Sequence, residues 1–76
     1  MIQELDRVVL TVNLVEHGLQ IGDMGTVVLV HQNQMGYEVE FITLFGETVA
    51  VVSLFANQVR PIRQREIAHV RELVFA

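Results

Sequence analysis

The feature that most constrains this chain is a series of five short segments rich in β-branched residues, all within its first 62 positions. Asp6–Thr11 reads DRVVLT, Gly25–His31 GTVVLVH, Tyr37–Ile42 YEVEFI, Thr48–Leu54 TVAVVSL and Gln58–Ile62 QVRPI. Valine and isoleucine are stiff at χ1 and suit a half-buried pleated surface. The third segment alternates without a break, with Tyr37, Val39 and Phe41 on one face and Glu38 and Glu40 on the other. That period of two marks a strand with one wet side. Turn formers separate the segments. Asn13–Asp23 carries Gly18 and Gly22, where positive φ is expected, and of Gly22 and Gly25 at least one should adopt it. Gln32–Gly36 is expected as a hairpin loop, Phe45–Glu47 as the next turn and Phe55–Asn57 as a single 3₁₀ turn. Pro61 is tolerable only at a strand end or sheet edge.

Closely spaced strands, with no helical period before residue 62, predict an all-β fold. The expected architecture is a small five-stranded SH3-like antiparallel barrel over residues 1–62. Closure would remove the exposed edges that so many valines make hazardous. Strict alternation places Val8, Leu10, Val28, Val30, Val39, Phe41, Ala50, Val52, Leu54 and Val59 inside, and turns Val27, Leu29, Val49 and Val51 outward. The tail, residues 63–76, changes period. Ile67, Val70 and Val74 fall at i, i+3 and i+7 with Leu73 beside them, which predicts a short C-terminal helix, although no good N-cap residue precedes it. This tail is expected to pack on the barrel or on a neighbouring chain.

Size and charge narrow the function. A chain of 76 residues fits one domain whose net stability is about 4 to 11 kcal/mol. So small a core has little to spare for a buried, water-excluding active site. Cysteine is absent, which excludes disulfides, thiol nucleophiles and cysteine-ligated zinc. No apolar run reaches the length of about 18 residues that a membrane span needs, and MIQELDRVV lacks the layout of a signal peptide. The expectation is a cytoplasmic protein without a membrane partner. Residues 1–59 carry one arginine against seven acids, a net of −6, and residues 60–76 carry four arginines against two acids, a net of +2. Phosphate binding needs several cations on one face, so a nucleic-acid partner is disfavoured.

No catalytic constellation is visible. His17, His31 and His69 are scattered, with no HxH or HExxH spacing, and no metal site is expected. Glu38 and Glu40 stand about 6.6 Å apart on one strand face, a separation that can serve glycoside hydrolysis. Alternating glutamates are more simply the solvent side of a half-wet strand. Ser53, Thr11, Thr26, Thr43 and Thr48 sit in or beside strands, and none lies in a GxSxG elbow. Gly22-Asp23-Met24-Gly25 lacks phosphate-loop spacing. With no tryptophan, and with Tyr37 and Phe41 facing inward, polyproline binding is not expected either. No enzyme activity and no cofactor are predicted.

Leu5–Leu10 (LDRVVL), Gly18–Val28 (GLQIGDMGTVV), Tyr37–Phe41 (YEVEF), Ala50–Leu54 (AVVSL) and Gln58–Pro61 (QVRP) together resemble a bacterial family of small proteins of unassigned function. The resemblance spans residues 5–62 and implies an SH3-like barrel. It carries over no catalytic or ligand residues. Ile21–Val30 is also similar to the KOW-type strand–loop pattern of ribosomal and transcription-factor barrels, and to the barrel of the nitrile hydratase β subunit. KOW barrels that bind RNA are usually basic, and this body is acidic.

The resulting expectation is a non-enzymatic protein–protein interaction module that self-associates. The alternative is a KOW-like nucleic-acid or ribosome-associated barrel. The expected surface has two apolar strips, Val27 with Leu29 and Val49 with Val51, flanking Glu38 and Glu40. The tail offers the complement: Ile67, Val70 and Val74 for the strips, and Arg63, Arg65 and Arg71 for the carboxylates.

Overall fold

The structure is a computed structural model that describes residues 1–74. Its strands are β1 (Arg7–Leu10), β2 (Met24–Val30), β3 (Gly36–Ile42), β4 (Thr48–Phe55) and β5 (Val59–Pro61). They form one antiparallel sheet in the order β4-β3-β2-β1-β5, and 3₁₀ turns occur at Val15–His17, Gln32–Gln34 and Ala56–Gln58. Every strand boundary falls within one residue of its expected position. The fold is all-β, and its strand order is compatible with an SH3-like barrel. The sheet is not closed, because β4 and β5 lie at its two ends and no ladder joins them among the described residues.

Of the two glycines before β2, Gly22 takes the positive φ, at +96°. Gly25 serves packing instead. A Cβ there would stand 2.5 Å from Val39 Cγ1 and 2.9 Å from Phe41 Cε1, so its missing side chain admits β3's inward residues.

Val8, Leu10, Val27, Val39 and Phe41 form the fully buried centre, joined by Leu14, Leu19, Tyr37, Leu54 and Val59. Most expected inward positions hold, but β2 inverts where strict alternation fails. Val27, expected outside, has no exposed surface, whereas Val28, expected inside, is 40% exposed. The cause is a β-bulge. Val27 pairs with Val39 and Leu29 pairs with Glu38, which leaves Val28 as an extra residue that resets the alternation. Val30, beyond the bulge, packs half-buried against the core. A second slip, between the pairs Phe41–Ala50 and Ile42–Thr48, leaves Val49 as the extra residue. Val49 therefore packs half-buried against the core rather than projecting outward. Ala50 and Val52 face inward but stay half-buried, as befits an end strand.

The helix expected over residues 63–76 does not form in its described part; residues 75 and 76 lie outside the described residues. One turn at residues 64–65 is followed by irregular chain. Two polar anchors hold the chain instead. The Glu66 carboxylate accepts from Arg60 Nη1 at 2.9 Å, from Arg60 Nη2 at 2.5 Å and from the Arg63 N–H at 2.6 Å. Arg71 reaches the loop before β2. An uncapped helix this short is marginal, and these side-chain anchors outweigh its propensity.

Candidate functional site

The outer face of β2, β3 and β4 gathers four of the nine residues expected to form the interaction surface, Leu29, Glu38, Glu40 and Val51. Cross-strand pairing sets Leu29, Glu38 and Ser53 in one row and Thr26, Glu40 and Val51 in the next. Gly36–Phe55 and Ile42–Thr48 complete the two ends. Val51 is 53% exposed and Phe55 73% exposed, and Leu29 and Ile42 are also open to solvent.

Both glutamates find their partners within the sheet. Glu38 Oε2 accepts from Ser53 Oγ at 2.5 Å and lies 2.5 Å from His31 Nε2. The Ser53 hydrogen bond, and after it that of His31, holds the Glu38 carboxyl below its ordinary range. Gly36 makes this cluster possible. A Cβ on Gly36 would meet the Leu54 carbonyl oxygen at 2.6 Å and His31 Nδ1 at 3.0 Å, so the imidazole lies where a side chain would otherwise stand. Glu40 Oε2 accepts from Thr48 Oγ1 at 3.0 Å. Ser53 thus donates to a carboxylate that the imidazole also contacts, whereas an activated nucleophile needs the base on its own hydroxyl. The cluster fixes a charge on the sheet surface.

The tail arginines go elsewhere. Arg71 donates from Nε to Asp23 Oδ1 at 2.8 Å, from Nη2 to Asp23 Oδ2, and from Nη2 to the Gly18 carbonyl at 3.1 Å. Asp23 also accepts the Gln20 N–H at 2.8 Å. Burial pushes the Asp23 carboxyl up, but the Arg71 and Gln20 hydrogen bonds outweigh it and hold the group below its ordinary value. A groove of about 690 Å³ runs between this clasp and the β3–β4 hairpin, lined among others by Leu19, Met24, Val49, Val70 and Leu73. Phe45, 98% exposed at the hairpin tip, stands at its rim.

Leu29, Glu38, Glu40 and Val51 are therefore brought together on one face. Val27 lies beneath it in the core, and Val49 turns toward the core and the groove. Ile67, Val70 and Val74 are exposed on the tail. Val70 lines the groove beside Arg71, and Ile67 lines a smaller hollow with Val9, Met24 and Arg60. Sequence reasoning missed the pairing of His31 and Ser53 with Glu38. Its only signal was the register that sets Glu38 opposite Ser53.

These features define a class: a small all-β domain with one five-stranded antiparallel sheet and a mixed apolar and carboxylate outer face. Residues 4–61 match the family described as a domain of unknown function (DUF4926), and the chain belongs to that family. The matched span covers β1 to β5 and stops short of the tail. No curated protein and no solved structure matches the chain. No helix among the described residues is long and apolar enough to cross a membrane.

Proposed function

We propose that this protein is a non-enzymatic protein–protein interaction module of the cytoplasm, and that its partner is a second copy of the same chain. The observation that carries this reading is the outer face of β2 to β4. Leu29, Ile42, Val51 and Phe55 are exposed there around carboxylates already satisfied by Ser53, His31 and Thr48. Covering one such aliphatic or aromatic side chain fully is worth about 1.5 to 3 kcal/mol, so several together offset the cost of association. Glutamates with partners of their own need no cation from outside, which suits an uncharged partner surface. The nucleic-acid alternative loses support because two of the arginines it relied on, Arg60 and Arg71, are tied to Glu66 and Asp23.

Light scattering and sedimentation on the full chain and on Val51→Lys test the proposal. A dimer or larger species at high micromolar concentration, reduced to monomer by Val51→Lys, is expected. A strictly monomeric full chain at that concentration overturns it. Micromolar RNA or DNA binding with a steep salt slope would restore the KOW-like alternative.

A further inference from the structure

We infer that two copies join through the open edges of β4, antiparallel about a two-fold axis at Val52, so that two five-stranded sheets become one. This inference rests on the self-association proposed above and places the contact at the β4 edge, which carries Val51 and Phe55 of that outer face.

The backbone shows which groups are free. The Ala56 N–H donates to the Met35 carbonyl at 3.0 Å, which marks the start of the β3–β4 ladder as a hydrogen-bonded pair. Hydrogen-bonded and non-hydrogen-bonded pairs alternate along an antiparallel ladder. Leu54, Val52 and Ala50 therefore turn their N–H and C=O groups toward β3, while Ser53 and Val51 turn theirs away from it. The β2–β3 ladder agrees. The His31 N–H donates to the Gly36 carbonyl at 2.9 Å, so Glu38, opposite Ser53, spends its backbone groups on β2. Among the described residues no strand lies beyond β4, since it ends the sheet. The next outward N–H, on Phe55, is taken by Gln58 Oε1 at 2.8 Å, which closes the edge at that end. Between that end and the bulge at Val49, Val51 and Ser53 remain.

Two outward residues flanking Val52 suit a second copy. About a two-fold axis at Val52, Val51 faces the partner's Ser53 and Ser53 faces the partner's Val51, which pairs the N–H and C=O groups of these two residues in both copies. Ala50 then opposes the partner's Leu54 on the inner side. Thr48–Phe55 contains no charge and no proline, and its one irregularity, the bulge at Val49, lies outside the Ala50–Leu54 stretch that pairs. Glu47, the nearest acid along the chain, lies outside β4, and its two copies stand at opposite ends of the paired stretch. No like charges meet. Each chain nevertheless carries a net charge of −4, so added salt should strengthen association by screening the two bodies from each other.

The experiment uses the full chain. Val51→Pro removes an outward N–H and leaves the β3 ladder intact. Val52→Cys and Thr48→Cys are oxidised separately with oxidised glutathione. Cysteine is otherwise absent, so any cross-link is unambiguous. Paired copies of residue 52 would lie about 4.5 Å apart between Cα atoms, within disulfide reach, whereas paired copies of residue 48 would not. The expected result is at least a tenfold rise in dimer Kd for Val51→Pro, rapid cross-linking of Val52→Cys and slow cross-linking of Thr48→Cys. If Val51→Pro fails to fold, the two cysteine variants decide the matter alone. Equal cross-linking rates, or an unchanged Kd in folded Val51→Pro, overturn the β4 edge while leaving self-association standing. A monomeric parent chain overturns both.

Discussion

The two end strands of this sheet are built on opposite principles. β5 is three residues long, carries Arg60 and Pro61, and has its arginine held by Glu66 of the tail running beside it. Shortness, charge, proline and a covering segment are the devices by which proteins keep an edge from pairing with other chains. β4 has none of these four, and its only irregularity among the described residues is the bulge at Val49 near its start. It is eight residues of TVAVVSLF with no charge and no proline, and the tail's anchors at Arg60 and Asp23 lie on other elements. Bare edges of this kind usually mark a place where another strand belongs. The contrast teaches that exposure in so small a domain is distributed by position: the sequence guards β5 and leaves β4 open.

The harshest way to break the contrast is to remove the sheet that separates the two edges. Phe41 is buried at the centre of β3 and pairs with Ala50 of β4. Phe41→Ala should cost about 3 to 5 kcal/mol, most of what a domain of this size has. A urea melt should show both edges lost in one transition. A loss under about 1 kcal/mol would mean that Phe41 does not face the core.

A milder change should loosen one edge and spare the other. Gly36→Ala forces a methyl group to within 2.6 Å of the Leu54 carbonyl oxygen and against the His31 ring. Backbone must shift to admit it, at a cost of about 1 to 3 kcal/mol. Hydrogen exchange should then quicken in β4 and at the start of β3 while β1 and β5 keep their protection. Uniform quickening across the sheet would show that the two ends are not independent.

Much of this contrast was legible in the sequence, because strand limits follow from β-branched runs broken by turn formers. Pro61 announced an edge, and the alternation of YEVEF assigned β3 correctly. What escaped depends on register. A bulge adds one residue and inverts every facing beyond it, so Val27 and Val28 exchanged places. Hydrophobic pattern alone gives no warning in a run such as VVLV, where either phase buries an aliphatic side chain. The second bulge hid Val49 in the same way. The Glu38 cluster was illegible for another reason: His31, Glu38 and Ser53 meet only once two ladders are in register and Gly36 leaves room for the imidazole. In the tail, an apolar stripe pointed to a helix, but Arg60 with Glu66 and Arg71 with Asp23 fix the chain in another path.

The smallest effect sharpens the comparison from the guarded side. The Arg60 guanidinium, and after it the Arg63 N–H, holds the Glu66 carboxyl at about 2, against an ordinary value of 4.5. A carboxyl depressed in the folded state lends its support above the ordinary value and loses it as pH falls through the depressed one. The Glu66 anchor should therefore be fully present above pH 4.5 and lost as pH approaches 2. Asp23, also held below its ordinary value, should release Arg71 on acidification by the same sign. The Glu66 anchor is at the surface, so its loss should change global stability little. The readout is local. On acidification, NMR should follow the Glu66 carboxyl carbon to a midpoint near 2, and ¹⁵N relaxation should show residues 62–70 gaining motion over the same range. Glu66→Gln should leave those residues mobile at neutral pH and remove their dependence on Glu66 ionisation. A Glu66 midpoint at the ordinary 4.5, or a tail equally ordered with and without its carboxylate, would mean that β5 is covered by something other than this ion pair.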